Sequence, residues 1–390
     1  MDDREAWTDD RKPVKKKKTK RRPLSFTLRA VLAGLVSLAL IALGVWAVLS
    51  RDRLSSENLR ETFGRGSEQT SANEPFTYEV GTGQVFSSAG NGFAVASSSA
   101  LEYLDRDGRK LFKQLVSYSR PTAIGSENGV LFCDLGTEKL VWLDADGNRK
   151  MLEPSAEIQT ASLNQHGWLA LTTGAAGYKS LVTVYDDQGK RVYEWWSGTG
   201  YVLSARVSPD NKLLAVACAE IGGGQVHAFR LDSEEEVFES YFPDELPFDL
   251  GFLGNDSICA ISEDAMTFLS ASGEIRERFV FGDYYLMDYE YGESFAAVYV
   301  SPYRSGGGGY LESFNVSGEL LGVAEQERDV LSLSAAGRQL LVMTGGGWTV
   351  CNAELHSQRS REGLLTAKSA LLREDGNVLL LGSYQAERVR

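Results

Sequence analysis

The 390-residue chain is 43% hydrophobic and 24% charged, enough apolar content to bury a sizeable core, which excludes a globally disordered chain. Its net charge of −13 is unevenly divided: residues 1–50 hold 11 Lys/Arg against 5 Asp/Glu, a net of +6, which leaves −19 for residues 51–390. A region this acidic is repelled by phosphate backbones and argues against nucleic acid as a partner.

Residues 1–24 form a basic tail in which Lys12, Lys15, Lys16, Lys17, Lys18, Lys20, Arg21 and Arg22 crowd against an apolar run. From Ala30 to Leu49 twenty residues pass without a charge. At helical rise that length spans roughly 30 Å, the thickness of a bilayer's hydrocarbon core, so residues 25–49 are expected to form one transmembrane helix. Basic residues before the span outweigh those after it, which keeps the N-terminus cytoplasmic, and Trp46 suits the outer interface. The run exceeds a signal-peptide h-region and no small-x-small cleavage site follows it, so an uncleaved anchor is expected. Residues 50–75 are polar and read as an extracytoplasmic linker, with a helical turn or two over Ser55–Phe63 stopped at Gly64.

Beyond Phe76 the pattern is β throughout: short runs rich in β-branched and aromatic residues, separated by Gly, Asn, Asp and Ser. One recurring element is an apolar strand ending in a turn, as in Leu104-Asp105-Arg106-Asp107-Gly108, Leu143-Asp144-Ala145-Asp146-Gly147 and Tyr185-Asp186-Asp187-Gln188-Gly189. Degenerate copies at Leu231, Ser270, Asn315 and Asn352 bring it to seven. A second element, a turn leading into a hydrophobic strand, recurs at Asn91, Asn128, His166, Asp210, Asn255, Gly292, Ala336 and Asp375, eight in all. Asp or Asn opens such turns because its side chain accepts bonds from the turn's own amides, and Gly closes them because it tolerates positive φ.

Spacing of roughly 37 to 46 residues between copies is the period of a four-stranded propeller blade. With strands named A to D, the eightfold turn joins A to B and the sevenfold turn joins C to D. The last repeat has room for strand B at Val378–Leu381 and strand C at about Glu387–Arg390, then lacks a strand D. A spare strand, Phe76–Val80, precedes the first blade and is expected to complete the last one. An all-β ectodomain over residues 76–390, an eight-bladed β-propeller with seven blades as the alternative, follows.

The stretch Val207-Ser208-Pro209-Asp210-Asn211-Lys212 resembles the turn of WD40-like and TolB-like propellers. In overall layout, with Lys-rich tail, single span and this repeat style, the chain resembles an uncharacterised bacterial family, domain of unknown function 5711. That resemblance implies the architecture and carries no catalytic residues.

Four cysteines, Cys133, Cys218, Cys259 and Cys351, lie in or at the end of apolar runs in different blades, and read as buried thiols without disulfides. His166, expected in a turn, and His227 and His356, expected in strands, are far apart in sequence with no partner at ligand spacing, so no metal site is expected. No nucleophile elbow, Walker loop or dinucleotide motif occurs, and no cofactor is implied. The glycine runs at 222–224, 306–309 and 345–347 fit B-to-C connections.

B-to-C and D-to-A connections share one face, and the segments expected there are rich in aromatics. Candidate binding residues are Trp195, Trp196, Tyr201, Tyr241, Tyr284, Tyr285, Tyr303 and Arg304, with Tyr178 and Tyr310 nearby. Such residue types anchor protein interfaces and stack on sugar rings. Trp195, Tyr284 and Tyr303 are expected at the surface, whereas Trp196 and Tyr201 fit either exposure or packing between blades. The expected function is a binding, scaffold or sensor module for a protein, peptide or cell-envelope polymer. The alternative is an envelope glycan-processing enzyme with carboxylates in the propeller funnel; Asp244, Asp249, Asp283 and Asp288 could form an acid/base pair or hold Ca²⁺, but read first as solvated charge in so acidic a domain.

Overall fold

Thirty-two short strands, and no helix among the described residues, follow from the β-rich runs. The computed structural model describes residues 75–233, 235–363 and 365–389. The basic tail, the apolar span and the linker up to residue 74 lie outside the described residues, as does Arg390.

The strands form eight antiparallel sheets of four, each wound in chain order except the last. Blades 1 to 7 span residues 85–115, 121–150, 158–197, 201–243, 249–280, 285–326 and 330–362. Blade 8 takes Ser369–Leu372, Val378–Leu381 and Gln385–Val389 from the C-terminal end and Phe76–Thr77 from the other. Phe76 pairs with Ala386 and Thr77 with Gln385, so the chain ends close the ring as the turn count requires. Two expected bounds shift. The closing strand has two residues rather than five, although the N–H of Tyr78 still reaches the carbonyl of Tyr384 at 2.9 Å. Strand C begins at Gln385, two residues early, because the B-to-C turn at Gly382 is tight.

Burial explains the composition of each strand. Strand B is sandwiched between neighbouring blades, so Gly129–Asp134, Ser257–Ile261 and Val378–Leu381 are buried on both faces and read as continuous apolar runs. Strand D faces solvent, so Ile275–Val280 carries Arg276, Glu277 and Arg278. The buried apolar residues fall into eight clusters, and each one is the junction of two successive blades, from blades 1 and 2 round to blades 8 and 1. All four cysteines are free and buried within these wedges.

The C-to-D turns work as the sequence implies. Asp105 Oδ1 accepts the N–H groups of Asp107 and Arg109, Asp144 those of Asp146 and Asn148, and Asp186 those of Gln188 and Lys190, at 2.8 to 3.0 Å. Gly108, Gly147 and Gly189 then take φ near +80°. In the degenerate seventh copy the same place is held by Leu355 at φ 62°, and His356 closes that turn rather than lying in a strand.

Candidate functional site

Antiparallel winding puts every A-to-B and C-to-D turn at one face of the ring and every B-to-C and D-to-A connection at the other. The two faces differ in chemistry. On the first, Asp, Asn and Ser side chains are tied to backbone within and between blades; Asn128 Nδ2, for example, donates to the His166 carbonyl at 2.8 Å. On the second lie all nine exposed aromatic side chains among the described residues: Tyr178, Trp196, Tyr201, Tyr241, Phe248, Tyr284, Tyr285, Tyr303 and Tyr384.

Around blades 3 and 4, Tyr178 at the B-to-C turn packs on Trp196 at the end of strand D, with ring centroids 5.1 Å apart. Next to them Tyr201 opens strand A of blade 4, and the Lys179 ammonium lies 5.1 Å from its ring centroid. Ile221 is fully exposed at the following B-to-C turn, and the Tyr241 hydroxyl donates to the Gly222 carbonyl at 2.8 Å.

Around blade 6, Tyr284 meets Tyr310 edge to face at 5.7 Å, and the Arg304 guanidinium lies 4.9 Å from the Tyr285 ring centroid. Tyr303 and Arg304 ride on a loop that turns through Gly306, Gly307 and Gly308, all at positive φ. Asp329 fixes that loop by accepting the N–H groups of Gly307 at 2.6 Å and Gly308 at 3.3 Å. Those bonds hold its carboxyl below the ordinary range. A side chain at Gly306 would collide with this carboxylate.

Of the eight sequence candidates, seven are exposed and fall into these two groups, with Tyr241 beside the first. Trp195 departs from expectation. It is half-buried between blades 3 and 4, its ring 5.1 Å from Phe229 and 5.3 Å from His227. Trp195 pairs with Val182 and Trp196 with Leu181, so strand alternation turns one indole into the wedge and the other outward. Both tryptophans lie within strand D rather than in a loop.

Of the four carboxylates, Asp249 and Asp288 both lie near enough to Glu290 on the inner strand of blade 6 to raise its carboxyl, while Asp244 and Asp283 take other places. Asp249 accepts Arg206 Nη2 at 3.0 and 3.1 Å, Ser204 Oγ at 2.7 Å and Tyr289 hydroxyl at 3.2 Å. Asp288 lies along the inner strand of blade 6 and is raised by burial, while accepting the Leu333 N–H. Asp244 sits in a turn at φ 58° and Asp283 is exposed. A cavity of about 180 Å³ next to Asp249 is lined by polar residues such as Gln159, Ser204 and Arg206 and by apolar ones such as Leu135 and Leu203.

A family model described as a family of unknown function (DUF5711) matches residues 68–357. No curated protein matches the chain. Among solved structures the chain is similar to a eukaryotic initiation factor at 11% identity and a TM-score of 0.54, covering 79% of this chain and 82% of that one. It is also similar to the dihydro-heme d1 dehydrogenase NirN at 14% identity and 0.53, covering 74% and 67%. BamB from Moraxella catarrhalis matches at 12% identity and 0.50, covering 81% and 100%. At these identities the likeness is one of fold.

Proposed function

The chain belongs to the family of unknown function DUF5711, and we propose that it is a membrane-anchored extracytoplasmic binding module whose B-to-C and D-to-A face engages a protein, peptide or cell-envelope polymer. The observation that carries this reading is the one-sided distribution of exposed aromatics: nine on that face, against turns of Asp, Asn, Ser and Gly on the other. Solvent-exposed rings cost free energy that a purely structural surface has no reason to concentrate, whereas bound partners recover it by covering them. Lys179 and Arg304, held over Tyr201 and Tyr285, add donors beside the apolar faces. Residues 25–49 hold the propeller at the membrane, with the Lys-rich tail in the cytoplasm.

Photocrosslinkers placed at Trp196 and Tyr284 in cells test the binding face, with Asp107 and Asp146 as positions on the opposite face. A discrete adduct from the first pair alone is expected. Identical adduct patterns from both faces, or none from Trp196 and Tyr284 across growth conditions, would defeat the proposal. Alkaline phosphatase fused after Arg390 tests the topology: activity supports an extracytoplasmic propeller and inactivity with normal expression refutes it.

A further inference from the structure

We propose that His227, Glu236 and Glu239 form a site for a divalent transition metal on the outer half of blade 4, with Zn²⁺ the class of ion it fits. His227 lies on strand C (Gly223–Arg230) and the two glutamates on strand D (Glu236–Pro243). Three residues apart on a regular strand, Glu236 and Glu239 would point to opposite faces. A bulge prevents that. Ala228 pairs with Phe238 and Phe229 with Glu236, so strand D carries one extra residue, and both carboxylates emerge on the face of His227. His227 pairs directly with Glu239, which brings their side chains side by side.

One ligand atom from each of the three residues lies within 4.8 Å of the others, and His227 Nδ1 is 2.6 Å from Glu236 Oε1. Around a shared Zn²⁺ with bonds of about 2.0 to 2.2 Å, ligand atoms sit about 3.4 Å apart, a spacing that small rotations of the two exposed glutamates reach. The imidazole is already fixed. It is 8% exposed and flanked by Trp195 at 5.3 Å and Phe229 at 6.0 Å, while Gln225 Nε2 donates to Glu239 Oε1 at 3.0 Å. One nitrogen and two carboxylate donors suit Zn²⁺ or its neighbours in the first transition row better than Ca²⁺ or Mg²⁺, which take oxygen throughout. Because Glu236 and Glu239 are exposed, the ion keeps an outward position for water or for a donor from a partner.

The test is Zn²⁺ titration of the tag-free full-length chain by calorimetry, with Cu²⁺ quenching of tryptophan fluorescence as a second readout, since the Trp195 ring lies 5.3 Å from the ligand ring. One equivalent is expected to bind, with affinity falling more than about tenfold in His227→Ala and in Glu239→Gln. Glu239 is exposed, so its amide variant keeps the fold and separates ligation from folding. Excess Ca²⁺ or Mg²⁺ leaves binding intact. No Zn²⁺ uptake at micromolar concentration, wild-type affinity in both variants, or loss of binding in His356→Ala, which removes the exposed imidazole beside Glu354, overturns the site.

Discussion

The Ser334 hydroxyl accepts the backbone N–H of Leu372 at 3.0 Å, tying the inner strand of blade 7 to that of blade 8. Innermost strands have no partner strand on the axial side, so their N–H groups would otherwise stay unpaired. The same stitch recurs at Ser87 with Gly125 at 2.9 Å, at Ser204 with Leu250 at 3.3 Å and at Ser332 with Ala370 at 3.3 Å. Ser334→Ala leaves a buried donor without an acceptor and is expected to cost about 1–2 kcal/mol. Urea unfolding of the variant reads this as a lower midpoint at constant slope. An unchanged midpoint would remove the stitch from the forces closing the ring.

Between blades 6 and 7 carboxylates replace the serines, and Glu290 accepts the Ala335 N–H. Burial, then the neighbouring Asp288, pushes the Glu290 carboxyl up to about 8; Asp249 acts in the same sense, and Arg206 opposes. A raised folded pKa means that the folded state holds the proton more tightly. The resulting stability is complete below the unfolded value near 4.5 and is lost as pH rises through 8. Glu290→Gln keeps the acceptor and removes the titration. Its stability advantage over wild type is expected to grow from pH 5 to 8.5, reaching on the order of 2 kcal/mol, less than full linkage because the side chain is partly open to solvent. Parallel stability profiles of the two proteins across that range would contradict the assignment.

The turn chemistry and the ring count were legible because both are local. Asp105, Asp144 and Asp186 bond to amides two and four residues on, and the unequal turn counts required Phe76 to cross to the far end of the chain. The face that carries the exposed aromatics was legible for the same reason, since a position within a blade fixes its face. Trp195 was not, because two adjacent tryptophans alternate faces and only the pairing of Val182 with Trp195 decides which enters the wedge. The His227 cluster was hidden by its bulge: nothing in Glu236-Val237-Phe238-Glu239 signals that both carboxylates share a face. Knowing the C-to-D pairing would have exposed it. The serine stitches carried a weak signal, Ser332-Leu333-Ser334 at alternate positions of one inner strand.

Burial also sets the behaviour of the thiols. It pushes Cys133 and Cys218 up to about 12 and Cys351 to about 11, with Cys259 raised as well. A thiol is nucleophilic only as its thiolate, so native protein at pH 8 is expected to leave all four unlabelled by Ellman's reagent. Four equivalents should react once guanidinium unfolds the chain. Prompt labelling of any one in the native state would mean that its blade junction opens.

Closure of the ring rests on very few residues, which makes it testable. Phe76 is 4% exposed, stacks on Phe93 at 6.1 Å and presses on Gly108, where a side chain would collide with its ring. The Tyr78 hydroxyl lies 2.8 Å from the carbonyls of Gly382 and Gln385. Tyr78→Phe loses that donor alone and is expected to cost about 1 kcal/mol. Phe76→Ala leaves a cavity between blades 8 and 1 and is expected to cost about 3–5 kcal/mol. The distinguishing readout is local: hydrogen exchange of Phe76→Ala should rise first in Gln385–Val389, the strand whose outer edge Phe76 and Thr77 cover, and next in Val378–Leu381 beside it. Exchange rising uniformly over all eight blades would instead mean that the ring opens as one unit, with no seam weaker than the rest.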